Sequence, residues 1–189
     1  MDFTLTDTQK KDLLKLARLT ISEELGYDCG IKSSELDFTS QIFLQKFGAF
    51  VTLHKNGQLR GCIGYIVGFL TLTETIEKMA LSAAFEDPRF PSLSKEEIND
   101  IDIEISILSP IVKVNDINEI VVGKDGLIVS NRVNTGLLLP QVAVEYKWTR
   151  DEFLDHTCMK AGLSPDSWRK NNIEIKKFSA MVFGEKDFC

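Results

Sequence analysis

The sequence predicts an α+β fold, and three observations carry that prediction. The stretch "GAFVTLHKNGQLRGCIGY" (48–65) holds two extended runs around Asn56-Gly57, a dipeptide that tolerates positive φ at both centres of a type I′ turn. "IDIEISIL" (101–108) alternates, with Ile101, Ile103, Ile105 and Ile107 on one face and Asp102, Glu104 and Ser106 on the other. Stretches of helical period stand among these strands without a βαβ rhythm, which points to segregated helices and antiparallel pairing.

Taken in order, residues 6–25 read as an amphipathic helix. Thr6 and Gln9 form a capping box, Leu13, Leu16, Ala17, Ile21 and Leu25 recur at helical spacing, and Gly26 stops the helix. Residues 27–46 have no clear period. The hairpin strands are 49–55 and 58–65. "TLTETIEKMALSAAF" (71–85) is a helix with the stripe Leu72, Ile76, Met79, Ala80, Ala83 and Ala84, broken by the prolines of "EDPRFPSL". Ser94 caps a short helical turn over "SKEEIND". A further strand pair is expected around Asp125-Gly126. "GLLLPQVAVEY" starts extended and is interrupted at Pro140. Thr149 and Glu152 open a helix through Ala161, with Gly162 as its stop, and Ser164-Pro165 opens a short last helix. "IEIKKFSAMVF" (173–183) closes the chain as a strand.

The bulk numbers bound function. The chain has 189 residues, 43% hydrophobic and 26% charged, enough to bury about 70% of its unfolded surface. A net charge of −6 works against nonspecific nucleic-acid binding, which needs cations on phosphates. No leader pattern or bilayer-length apolar run is read, so a soluble, cytoplasmic protein is expected. Cys29, Cys62, Cys158 and Cys189 are scattered without CxxC spacing and are expected to be reduced thiols. Metal and cofactor sites are not expected: there are two histidines, no Walker loop, no GxGxxG after a strand and no GxSxG elbow.

The hairpin carries the chemistry. An uninterrupted register pairs Leu53 with Arg60 and Val51 with Cys62, placing Arg60 and Cys62 on one face and His54 on the other. An arginine beside a cysteine favours the thiolate. Gly61 and Gly64 remove bulk where a ligand could approach the backbone. The structural alternative is that Cys62 is a small buried hydrophobe and Arg60 an internal ion-pair partner. Glu86, Asp87 and Arg89 read as a turn-fixing ion cluster, Glu104 and Ser106 as a polar strand face. Gln141 and Glu145 share one side if their stretch is helical. Cys158 reads as core.

"LRGCIG" (59–64), "AAFEDPRFPSL" (83–93), "IEISILSP" (103–110), "GLLLPQVAVEYKW" (136–148) and "FLDHTCMKAGLSPDSW" (153–168) stand in this order. Together they closely resemble the AMMECR-domain family, whose microbial members are called AmmeMemoRadiSam system protein A. The resemblance implies a single domain over 1–189, built as two unequal interleaved subdomains. The larger contains both termini, and a mainly antiparallel sheet is flanked by helices. It also implies a groove between or beside the subdomains, and an association with Memo-like and radical-SAM proteins. The family hallmarks fall on residues 59–64, 87–91 and 138–142. The segment "SNRVNTG" before the last one is less glycine-rich than the family pattern.

Two readings of function stand side by side. In the first, a noncatalytic module docks a ligand or partner through a groove at the LRGCIG motif, using Gly61, Gly64, Asp87, Arg89, Gln141 and Glu145. In the second, a thiol-dependent enzyme uses Cys62 as nucleophile or acid/base, Arg60 as anion anchor and Glu104 as proton acceptor. Nucleic-acid binding ranks last on charge.

Overall fold

The computed structural model describes residues 4–170 and 172–188. Cys189, read above as a reduced thiol, lies outside the described residues. The chain divides into two compact units, Met1–Leu108 with Met181–Cys189, and Ser109–Ala180.

The first unit begins with α1 (Asp7–Glu24). Thr6 Oγ1 accepts from the Gln9 amide while Gln9 Oε1 accepts from the Thr6 amide, so the expected capping box is formed. Residues 27–46 contain two short 3-10 turns, Ser33–Glu35 and Gln41–Leu44. Strands β1 (Gly48–Lys55) and β2 (Gln58–Tyr65) form the hairpin, with Asn56 and Gly57 both at positive φ. Then come α2 (Leu72–Phe85), a 3-10 turn at Lys95–Glu97, and β3 (Ile101–Leu108). A second capping box, Thr71 with Glu74, starts α2.

β1 pairs antiparallel with both β2 and β3. One face of this sheet is covered by the helices. Ala49, Val51 and Leu53 of β1 and Ile101, Ile103, Ile105 and Ile107 of β3 join the apolar stripes of α1 and α2 in one core. All six stripe residues expected for α2 are buried there. At about 25 cal/mol per Å², burial of such side chains is the main stabilising term of the unit.

The second unit holds β4 (Val112–Lys113), β5 (Asp125–Ser130), β6 (Thr135–Leu138), α3 (Pro140–Glu145) and α4 (Arg150–Lys160). β7 (Glu174–Gly184) follows, its residues through Ala180 in this unit and the rest in the first. β5 pairs with β6 and with β7, and β4 pairs with β7. Here one expectation is corrected. Asp125-Gly126 open β5 rather than forming a turn; the strand pair turns at residues 131–134, where Asn131 Oδ1 accepts from the amides of Val133 and Asn134. The core gathers Leu127, Val129, Phe153, Leu154 and Cys158 with Ala143 and Ile175. Burial pushes the Cys158 thiol up from its ordinary value, as befits an inert core cysteine.

Candidate functional site at the LRGCIG hairpin

The hairpin is not the regular ladder that its turn alone would dictate. Lys55 faces Gln58 and His54 faces Leu59, but Leu53 faces Gly61, Thr52 faces Cys62 and Phe50 faces Gly64. Arg60 is therefore the extra residue of a β-bulge. This corrects the register expected from sequence, in which Leu53 met Arg60 and Val51 met Cys62. Beyond the bulge every β2 side chain is exchanged between faces.

Arg60 turns to the helix-covered side and is 8% exposed. Its Nε donates to Glu97 Oε1 at 3.1 Å and its Nη2 to Glu97 Oε2 at 3.0 Å, a bidentate pair that Lys55 joins at 3.0 Å. The hydrogen bonds from Arg60, then those from Lys55 and the Ser94 amide, lower the Glu97 carboxyl to about 2 against the cost of burial. Arg60 is thus an internal ion-pair partner, and its guanidinium does not share a hollow with the thiol.

Cys62 faces the other way. Its half-exposed side chain lies on the sheet face away from the helices, where the Thr52 hydroxyl donates to Sγ at 3.2 Å. Thr52 also faces Glu104 on β3, so Cys62, Thr52 and Glu104 form one row across three strands. The end members of that row are separated by two strand spacings, about 10 Å. The next row is Gly64, Phe50 and Ser106. The bulge also brings His54 onto the Cys62 face, although the sulfur's bond is to Thr52.

The two glycines have a different explanation from the one the sequence suggested. A Cβ at Gly61 would stand 2.1 Å from the Ala83 carbonyl oxygen of α2, and one at Gly64 2.3 Å from the Phe50 ring. The protein's own atoms fill the space over both residues: Gly61 admits the helix and Gly64 an aromatic ring.

Asp87 and Arg89 come to Cys62 from the loop after α2. Asp87 is buried at 4% exposure. It takes Arg89 Nε on Oδ1 at 2.9 Å and Arg89 Nη2 on Oδ2 at 2.6 Å. The same Oδ2 accepts the Cys62 amide at 2.9 Å, while Arg89 Nη2 donates to the Cys62 carbonyl at 3.2 Å. Both backbone groups of Cys62 point away from β1 and are satisfied by this one loop. Arg89, foremost by hydrogen bonding, holds the Asp87 carboxyl far below the carboxylate range. Arg89 is in turn raised, first by Asp87 and, more weakly, by the nearby Cys62 sulfur. The cation hydrogen-bonded to Cys62, through its backbone carbonyl, is therefore Arg89, not Arg60.

Gln141 and Glu145 lie in the second unit. Their stretch is helical, as α3, and both side chains are exposed. Glu97 was missed as a functional partner of the hairpin; its one local signal was the Ser94-x-x-Glu97 spacing, and the Glu97 carboxylate does accept the Ser94 amide at 3.1 Å. Among the described residues no group of three or more His, Cys, Asp or Glu is placed to hold a metal ion, and no helix is long and apolar enough to cross a membrane.

The chain has relatives. Residues 14–183 match the AMMECR1 family model. A protein of Methanosarcina barkeri is 45% identical, covering 98% of this chain and 94% of its own length. One from Methanothermobacter thermautotrophicus is 43% identical, with 96% of each chain covered. The crystal structure of the uncharacterized protein PH0010 from Pyrococcus horikoshii is similar with a TM-score of 0.83 at 38% identity, covering 97% of this chain and 95% of that one. Across nearly its whole length, with the bulged hairpin and its Asp87–Arg89 loop inside the matched region, this chain belongs to the AMMECR1 family.

Proposed function

We propose that the protein is a noncatalytic binding component, docking a ligand or partner on the open sheet face of the LRGCIG hairpin. One observation carries this reading: Arg60, the charged side chain of the LRGCIG motif, is spent internally. Arg60 is neutralised by Glu97, and Asp87 by Arg89 and the Cys62 amide. The thiol left on the open face is hydrogen-bonded to a hydroxyl donor, Thr52, rather than to a base that would take its proton. Cys62, Thr52 and Glu104 then present a polar floor suited to recognition. The family resemblance makes Memo-like and radical-SAM proteins of a cytoplasmic system the first partners to try.

Retention of those two proteins by the immobilised chain tests the reading. Glu104→Lys, a half-exposed change on the open face, is expected to abolish retention with the circular dichroism spectrum unchanged. Undiminished retention by that variant removes the open face from the account. A thiol-dependent enzyme is the second reading. It is favoured by the half-exposed Cys62, whose carbonyl accepts from the Arg89 cation, with Glu104 as the carboxylate in its row.

A further inference from the structure

The geometry points to Arg89, rather than Arg60, as the anion-recognising group beside Cys62, and to a carboxylate as the ligand group it takes. This rests on the reading of the hairpin as a ligand-binding site. Three hydrogen bonds fix the Arg89 guanidinium: two to Asp87 and one to the Cys62 carbonyl. Its side chain is nevertheless 54% exposed. Among the described residues Nη1 has no hydrogen-bond partner, so one nitrogen of a held, charged plane is left to donate. A cation positioned by folding loses little further freedom when a ligand arrives.

The charge count selects the ligand. Asp87 already cancels the guanidinium once, and Glu104 stands on the face where Cys62 lies. A phosphate dianion would add two charges beside an arginine whose own charge Asp87 already balances. A carboxylate brings one, and a single oxygen on Nη1 makes a charge-assisted hydrogen bond. Cys62 is the residue placed to report on such a group, since Arg89 Nη2 donates to its carbonyl at 3.2 Å.

Iodoacetate and iodoacetamide make the test, since they differ chiefly in bearing a carboxylate or a neutral amide. In both, the thiolate sulfur forms a bond to the methylene carbon as the carbon–iodine bond breaks. Iodide departs, and the thiol proton goes to solvent. Rates at Cys62 are read by peptide mass spectrometry and divided by those of free mercaptoethanol in the same buffer. The iodoacetate-to-iodoacetamide ratio at Cys62 is expected to exceed that of the free thiol about tenfold, the scale of one charge-assisted bond. It is expected to fall to the free-thiol value in Arg89→Gln and to be largely kept in Arg89→Lys. Equal ratios at Cys62 and the free thiol overturn the carboxylate inference while labelling by iodoacetamide leaves the exposed site standing. A raised ratio untouched by Arg89→Gln overturns the assignment to Arg89. A Cys62 inert to both reagents overturns the site and the inference together. Protection by acetate alone identifies a free small acid, and protection by a glutamate-bearing peptide alone identifies a carboxylate on a polypeptide. Protection by neither overturns the ligand class.

Discussion

The two faces of the β1–β3 sheet are built from the same three strands and do different things. On the helix side Val51, Leu53, Ile103 and Ile105 are sealed, and even a charged residue, Arg60, is drawn in and neutralised. On the other side Cys62, Glu104, His54 and Phe50 are half-exposed, with Thr52 between them. Strand alternation alone would have put Arg60 and Cys62 together; the bulge separates them. Stability is concentrated on one face and reactive groups are left on the other.

The contrast is most directly broken by adjacent residues of β3. Ile105→Ala opens a cavity in the helix-side core and is expected to cost about 3–4 kcal/mol in urea unfolding. Glu104→Gln, one position away on the open face, is expected to stay within about 0.5 kcal/mol. Similar costs for both would erase the distinction between the faces.

Next in size is the ion pair. Glu97→Ala strands the buried Arg60 guanidinium, at an expected cost of about 2–3 kcal/mol, below the range for a sealed pair because the Glu97 side chain is 20% exposed. Replacing Arg60 and Glu97 together with Met is expected to recover most of that loss. A double variant as unstable as the single one would mean that the pair does more than cancel its own charge.

Acid should reveal the same pair. The Glu97 carboxyl stands at about 2 against an ordinary 4.5, and Asp87 is lowered still further from 3.8. Each lowered carboxylate contributes stability that is complete above its unfolded value and is lost as pH falls through its folded one. Unfolding free energy is therefore expected to be flat above about pH 5 and to decline down to about pH 2, where the Asp87 contribution still persists in part. Glu97→Gln should be less stable at neutral pH and show a shallower decline. Identical slopes in variant and parent would contradict the lowered Glu97.

Cys62→Ser is the smallest change expected, within about 1 kcal/mol, since serine keeps an acceptor for the Thr52 hydroxyl. A much larger loss in calorimetry would assign the sulfur to packing and take it off the open face.

Much of this was legible in the chain. The isoleucine alternation of β3, the Asn56-Gly57 turn and the Thr6 and Thr149 capping boxes are local patterns with local causes. The bulge is not local. Arg60 leaves the ladder where Gly61 must pass beneath the Ala83 carbonyl and where Glu97, 37 residues away, accepts the guanidinium. An Arg-Gly pair in a strand marks a place where a bulge is tolerated, but the position of α2 decides it. The choice of Arg89 over Arg60 as the cation hydrogen-bonded to Cys62 has the same origin, because the loop after α2 reaches Cys62 only in the folded unit. The Asp87–Arg89 spacing suggests a turn-fixing cluster, and it does hold its own turn, with the Arg89 amide on Asp87 Oδ1 at 3.1 Å. Its reach to another strand was not written in its spacing.

That reach has a consequence for solubility. β2 is the outermost strand of the hairpin sheet, and an outermost strand invites a second copy of the chain to pair with it. Asp87 offers an acceptor and Arg89 a donor to the Cys62 backbone, as a neighbouring strand would. The loop stands in for that absent neighbour and closes the template midway along. Loss of Asp87 would reopen it, and the first sign would be a concentration-dependent growth of fibres at temperatures where each molecule is still folded.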